Sequence, residues 1–175
     1  MAKLRTALVA TTVDDVVDVL AEEPAPLLIA GGTDAMVEIN EGHRRLADDT
    51  VVVALNRVTE LRSWSLDPDR GPAGTLRLGA AVTYGEIERS PLAEFSPALA
   101  QAARTVGSPQ IRSAATVGGN LATCSPAGDG LPPLVAHDAV VEIAGPHGRR
   151  RVPIGEFIVG VKRTALEPGE LIVAV

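Results

Sequence analysis

Two pairs of adjacent glycines carry the clearest chemical signal in the sequence. Gly31 and Gly32 follow the apolar run Leu27-Leu28-Ile29-Ala30 and lead into Thr33, Asp34 and Ala35. Gly118 and Gly119 stand between Thr116-Val117 and Asn120, with Ser125-Pro126-Ala127-Gly128-Asp129 shortly after. Glycine accepts positive φ and puts no Cβ in the way of an approaching ligand. Successive backbone N–H groups in such a turn converge into a concavity that suits a phosphate oxygen. A strand that turns through glycines into a helix start offers the same donors at the positive end of a helix dipole. Two such segments in one short chain, each flanked by hydroxyl and acid side chains, suggest a bound pyrophosphate. Plainer readings stand beside this one. Gly31-Gly32 is also what a ligand-free strand-to-helix turn requires, and Gly118-Gly119 suits a bulge or a close chain crossing. Asn120 can bond its own loop, and Asp129 can cap a helix at Leu131.

Other site chemistries find little support. The first glycine turn lacks the G-x-G-x-x-G spacing of a dinucleotide-binding strand–helix turn, and neither turn has the lysine of a P-loop. His43, His137 and His147 are scattered, without ligand spacing to acids or to Cys124. No serine sits on a recognisable nucleophile turn. Cys124 is the single thiol, so an iron–sulfur cluster, which takes about four cysteines, cannot be held here. Arg149-Arg150-Arg151 reads as a solvated strand edge or as a partner surface.

The elements that must position the glycines can be read around them. The chain has 175 residues, 46% of them hydrophobic, yet only four aromatics: Trp64, Tyr84, Phe95 and Phe157. Its core is therefore aliphatic. A net charge of −6 argues against a nucleic-acid partner held by phosphate contacts. No apolar run approaches the ~20 residues of a membrane helix, and Met1-Ala2-Lys3-Leu4-Arg5 does not lead into a secretion signal. A cytoplasmic protein is expected.

Thr12 is placed to N-cap a helix with Asp15 in its first turn and Val13, Val16, Val17 and Leu20 on one face. A strand follows over 27–30, a helix over 34–40 stopped at Gly42, and a β-branched strand over 51–55, a parallel α/β unit. Residues 67–74 are a loop and 75–80 a strand. Thr83 and Glu86 form a capping box. Ser90-Pro91 and Ser96-Pro97 start helices with proline at the first helical position. After the second glycine segment come a helix over 131–137, strands over 139–144 and 149–153, and apolar runs over 157–161 and 171–175. The expected division is an N-terminal lobe over 1–58 and a second lobe over 59–175, with the glycine segments facing a shared cleft. The pattern stops at Val175 inside an apolar strand, so the chain reads as cut short or completed by something else. Its last strand is expected to leave an edge open to self-association.

The order Ala30-Gly31-Gly32-Thr33-Asp34, Gly107-Ser108-Pro109-Gln110-Ile111-Arg112, Thr116-Val117-Gly118-Gly119-Asn120 and Ser125-Pro126-Ala127-Gly128-Asp129 resembles the FAD-binding medium subunit of the molybdenum hydroxylases, the xanthine dehydrogenase and carbon monoxide dehydrogenase family. The resemblance implies an α+β, two-lobe FAD-binding fold of the vanillyl-alcohol oxidase type, here lacking the usual C-terminal domain. It implies that Leu28, Ile29, Ala30, Gly31, Gly32, Thr33, Asp34 and Ala35 line FAD on one side. Thr116, Val117, Gly118, Gly119 and Asn120 would line it on the other. Asp129 matches an acid that contacts the cofactor, and Ile172 and Val106 match apolar positions near it. No catalytic acid or base is implied. The expected role is an oxidoreductase subunit that relays electrons to an acceptor. Its partners would be a molybdopterin-binding large subunit and a 2Fe–2S small subunit. Ser113-Ala114-Ala115 departs from the asparagine and glycine that relatives carry before the threonine. Relatives also continue into a segment beside the flavin ring, so FAD is expected to be held weakly with its ring exposed. The rival expectation is an FAD-shaped binding or assembly module without redox activity of its own.

Overall fold

The computed structural model describes residues 6–69 and 74–175. In chain order the elements begin β1 Thr6–Val9, α1 Val13–Glu22, β2 Leu27–Ile29, α2 Thr33–Asn40, β3 Val51–Ala54, α3 Thr59–Arg62, β4 Trp64–Asp67 and β5 Thr75–Leu78. A run of short helices follows: α4 Tyr84–Ile87, α5 Leu92–Phe95, α6 Pro97–Ala103, α7 Pro109–Arg112, α8 Val117–Thr123 and α9 Leu131–Ala136. The last part is β6 Val140–Gly145, β7 Gly148–Pro153, α10 Ile154–Phe157, β8 Ile158–Gly160, β9 Arg163–Thr164 and β10 Leu171–Ala174. Residues 1–5 and the middle of the loop expected over 67–74 lie outside the described residues.

Local chemistry accounts for most element starts. Thr12 accepts from the Asp15 N–H while the Asp15 carboxylate accepts from the Thr12 N–H, so the first helix opens on a full capping box. Thr83 and Glu86 do the same for α4. Pro97 takes the first position of α6 as expected, but Pro91 is itself the cap residue and α5 starts at Leu92.

Two sheets share one apolar core. The first is parallel, in the order β1-β3-β2. Its outer strand β1 is exposed throughout and shows no alternation, so its four residues carry no sequence signal. The second is antiparallel, in the order β10-β6-β7, with β6 and β7 joined by the two-residue turn Pro146-His147. Val13, Val16 and Val53 from the first half pack in the same core as Val141, Ile143, Phe157 and Val173 from the second.

The open edge expected of the last strand is absent. All four residues of β10 are buried. Ile172 pairs with Ile143 of β6 on one side. On the other, the β4–β5 hairpin is stitched on through Gly79 opposite Ala174 and reciprocal bonds of 2.7 and 2.8 Å between Leu78 and Val175. An apolar run shows that a strand is buried, but not which distant segment covers its edge. The edge argument for self-association therefore falls.

The three arginines of β7 are paired rather than free. Arg149 makes a two-point bond to Glu60, Arg150 one to Glu170 at 2.6 Å, and Arg151 reaches Glu142 at 2.6 Å, which Arg77 also holds at 2.8 Å. These arginines keep their partners ionised. Arg149 holds Glu60 below its ordinary 4.5. Burial works against Glu142, but Arg77 and then Arg151 hold it low; Arg150 does so for Glu170. The Thr11 and Thr12 N–H groups bring Asp15 down to about 2. A carboxylate whose folded pKa is depressed contributes stability that is present above its unfolded pKa and lost as pH falls through the folded value. The melting temperature is thus expected to hold above about pH 4.5 and to fall progressively between there and about pH 2. A melting temperature that stayed flat from pH 5 to about pH 2.5 would contradict this linkage, and thermal unfolding in a pH series decides it.

Candidate functional site

The first glycine segment is a strand-to-helix turn with unused donors. The Leu55 N–H donates to Ile29 O at 2.9 Å and fixes the end of β2 beside β3. Gly32 then takes φ 70°, ψ 3°, a left-handed conformation, as the cap residue of α2, which glycine adopts without the Cβ penalty. The first helical bond runs from the Met36 N–H to Gly32 O at 2.9 Å, and no side chain caps the helix. Among the described residues, nothing accepts from the N–H groups of Gly31, Gly32, Thr33, Asp34 or Ala35. Five successive donors at a helix start, beginning in a left-handed turn, form an anion cradle. Asp34 is exposed, whereas Gly31, Gly32, Thr33 and Ala35 are half-buried, as are Leu28, Ile29 and Ala30 behind them.

The second segment differs from the expected glycine turn. Thr116 caps α8, and Val117, Gly118, Gly119 and Asn120 are its first turn. The left-handed residue closest to the helix is Cys124 at its other end. Every donor of that turn has a protein acceptor: Val117 to Val82 O at 3.0 Å, Gly118 to Ala80 O at 2.8 Å, Gly119 to Thr116 Oγ1 at 3.0 Å and Asn120 to Thr116 O at 3.0 Å. The two glycines do different things. A Cβ on Gly118 would stand 2.5 Å from Ala80 Cβ and 2.7 Å from its carbonyl oxygen, so glycine is required for the helix to lie on the 80–82 backbone. A Cβ on Gly119 would meet only Thr116 Oγ1, at 3.0 Å. Gly119 occupies the helix position that carries Asp15 in α1 and Glu86 in α4. Here no acid stands at that position, and a side chain would meet only the threonine hydroxyl.

The fold joins the two segments. A Cβ on Gly31 would collide with the Ala114 carbonyl and stand 3.1 Å from Ala115 Cα, so the first turn lies directly on the 114–115 backbone that leads into Thr116. That segment is pinned by the Tyr84 N–H, which donates to Ala115 O at 3.0 Å. Ala115 and Thr116 are buried and Asn120 half-buried. Asn120 Oδ1 is buried without a hydrogen-bond partner, as is the hydroxyl of Tyr84. Burial, and after it the charge of Asp129, push that hydroxyl above its ordinary pKa. Asp129 is exposed and is not a helix cap: Gly130 is the cap residue of α9, with no side-chain bond. Tyr84 belongs to this cluster although its sequence context marks it only as part of a capping motif.

Val106 packs against the apolar core and Ile172 lies within it. Val106 is half-buried against the core, and its carbonyl accepts from Arg112 Nη1 at 3.3 Å. Arg112 also donates to Gly107 O at 3.1 Å and pairs with Glu88 at 2.9 Å, which fixes the turn before α7. Ile172 is only 4% exposed within β10, on which α8 packs. Among the described residues no His, Cys, Asp and Glu side chains gather as a metal site.

Residues 3–175 match the family model described as the FAD binding domain in molybdopterin dehydrogenase. The chain is 37% identical over 166 residues to the xanthine dehydrogenase FAD-binding subunit of Escherichia coli O157:H7, covering 94% of this chain and 54% of that one. It is 37% identical over 154 residues to the nicotinate dehydrogenase FAD-subunit of Eubacterium barkeri, covering 86% and 49%. A solved carbon monoxide dehydrogenase of Hydrogenophaga pseudoflava, in a form lacking the Mo-pyranopterin moiety of its molybdenum cofactor, superposes with a TM-score of 0.88 at 27% identity, covering 99% of this chain and 58% of that one. The chain spans about half the length of the curated relatives it matches.

Proposed function

Because the chain belongs to the FAD-binding domain family of the molybdopterin dehydrogenases, we propose that it is the flavin-carrying part of a molybdenum-containing hydroxylase or dehydrogenase. The observation that carries the reading is the row of unused N–H groups from Gly31 to Ala35. Backbone donors neutralise a diphosphate without a lysine, which suits an acidic chain. In this reading the FAD diphosphate lies against those donors, with residues 1–58 as one wall of the cleft and 59–175 as the other. Gly119 leaves room on the facing helix, Asn120 and Asp129 offer polar contacts, and Val106 and Ile172 support the site from the core. Thr116, Val117 and Gly118 hold the facing helix in place through bonds internal to the protein.

The flavin supplies the redox chemistry when bound, and the protein supplies binding, orientation and electrostatics. This chain's residues bind and orient; none is asked to move a proton. The bound flavin would take electrons from a molybdopterin-binding large subunit through a 2Fe–2S small subunit and pass them to a separate acceptor. The single thiol, Cys124, is buried, with its Sγ 3.8 Å from Gly160 O, so the iron–sulfur relay would lie outside these 175 residues. The test is turnover with and without those partners. The FAD-loaded chain alone is expected not to oxidise a purine, an aldehyde or carbon monoxide at an enzyme-like rate, and the assembled complex to do so. Turnover by the chain alone would overturn the relay.

A further inference from the structure

Tyr84 is the only tyrosine in the chain, and it is 1% exposed. Its ring fills the core at the start of α4, beside the capping box of Thr83, but its hydroxyl has no hydrogen-bond partner. Asn120 Oδ1 is likewise buried and unpaired. The two oxygens converge on one small volume over Gly130. A Cβ there would collide with Tyr84 Oη and stand 2.9 Å from Asn120 Oδ1. A Cβ on Gly128 would stand 3.0 Å from Asn120 Nδ2 and 3.3 Å from its Oδ1. Gly128 and Gly130 thus both lie against the Asn120 amide, and Asp129 lies between them in sequence.

A phenol O–H is a donor and an amide oxygen is an acceptor, so the two unpaired atoms are complementary. Folding alone gives no reason for this hydroxyl: phenylalanine would fill the same core without burying an unpaired polar group. Unsatisfied buried polar groups in a folded protein call for an explanation, and rules broken locally tend to be broken at functional sites.

We propose that the Tyr84 hydroxyl is a positioning group for the cofactor site, holding the Asn120 amide and the 128–130 turn that carries Asp129 in the geometry FAD requires. The inference rests on the FAD reading above. Tyr84 touches no ligand itself; it acts through Asn120 and through the space that Gly130 leaves open. The raised pKa of the hydroxyl keeps it protonated, and therefore a donor, across the working pH range.

Tyr84→Phe in the full chain tests this with three readouts. Thermal unfolding is expected within a few degrees of the parent temperature, since phenylalanine fills the same core volume. FAD affinity, by fluorescence titration, is expected to weaken about tenfold, the scale of one lost positioned hydrogen bond. In protein carrying 15N only at its three asparagines, Asn40, Asn56 and Asn120, the Asn120 side-chain amide resonance is expected to shift without FAD while the other two stay. Asn120→Asp assigns that resonance. An unmoved Asn120 amide, or unchanged FAD affinity, would overturn the proposal. If the parent chain bound no FAD, the FAD reading would fail, and the Asn120 amide would still decide whether Tyr84 positions it.

Discussion

Alanine at Gly118 is expected to damage the fold, whereas substitution at the adjacent Gly119 leaves the fold intact and damages only cofactor binding. At Gly118 the new Cβ meets Ala80 Cβ at 2.5 Å and the Ala80 carbonyl at 2.7 Å, so α8 must lift off the 80–82 backbone. That lift breaks the Gly118 N–H bond to Ala80 O and strains the Val117 bond to Val82 O. Overpacking of this kind costs about 1–3 kcal/mol or more, and each severed buried bond adds about 1 kcal/mol. The better helix propensity of alanine returns at most about 1 kcal/mol. A net loss of about 2–3 kcal/mol corresponds to roughly 5–10 °C in a domain of this size. At Gly119 only Thr116 Oγ1 lies near, at 3.0 Å. The acids at the equivalent positions of α1 and α4 prove that a side chain there is compatible with a threonine cap. Gly119→Val should therefore melt within a few degrees of the parent yet bind FAD on the order of a hundredfold more weakly. Paired melts and flavin titrations check both variants. Equal damage to folding by both would refute the division of labour.

The second large effect is expected at Gly31. Its position against the Ala114 carbonyl is a contact of backbone on backbone, so no side chain can rotate away to admit a methyl group. Gly31→Ala must push the first turn off the 114–115 backbone that leads into Thr116, displacing the five donors from the facing helix. Stability is expected to fall by about 2–3 kcal/mol and FAD affinity by more than about a hundredfold, because the donors act only when held together. Gly42→Ala is the control. Gly42 also follows α2 and has positive φ, at 75°, but its Cβ position is open. It should cost about 1–2 kcal/mol from the left-handed backbone alone and leave flavin affinity unchanged. If Gly31→Ala melted and bound FAD like Gly42→Ala, the apposition of the two segments would be irrelevant to binding.

What the sequence made legible was local. The capping residues Thr12 and Thr83 write their helix starts into three or four adjacent positions, and both helices begin there. The turn at Gly31-Gly32 was legible because an apolar run, two glycines and a helix start follow one another directly. The nature of Gly118-Gly119 was not. Adjacent glycines signal a turn, but here Thr116 caps a helix and the 80–82 backbone supplies acceptors from thirty-odd positions away. The same limit hid β1, the pairing of β10 with the 78–80 segment, and the arginine–glutamate pairs of β7. Apart from Arg151–Glu142, nine positions apart across the β6–β7 hairpin, the partner is in each case distant in sequence. Tyr84 was visible as a lone tyrosine, but its relation to Asn120 and Asp129 exists only once two helix starts and a turn are brought together.

The central claim is that the unused N–H groups of Gly31 to Ala35 hold the FAD diphosphate. Titrating uniformly 15N-labelled chain with FAD and following the backbone amides tests it most directly. Saturation at one FAD per chain is expected, with the resonances of Gly31, Gly32, Thr33, Asp34 and Ala35 moving most. The amides of Val117 and Gly118, already bonded to Val82 and Ala80, should move far less. Saturable FAD binding that left the 31–35 amides in place would contradict it.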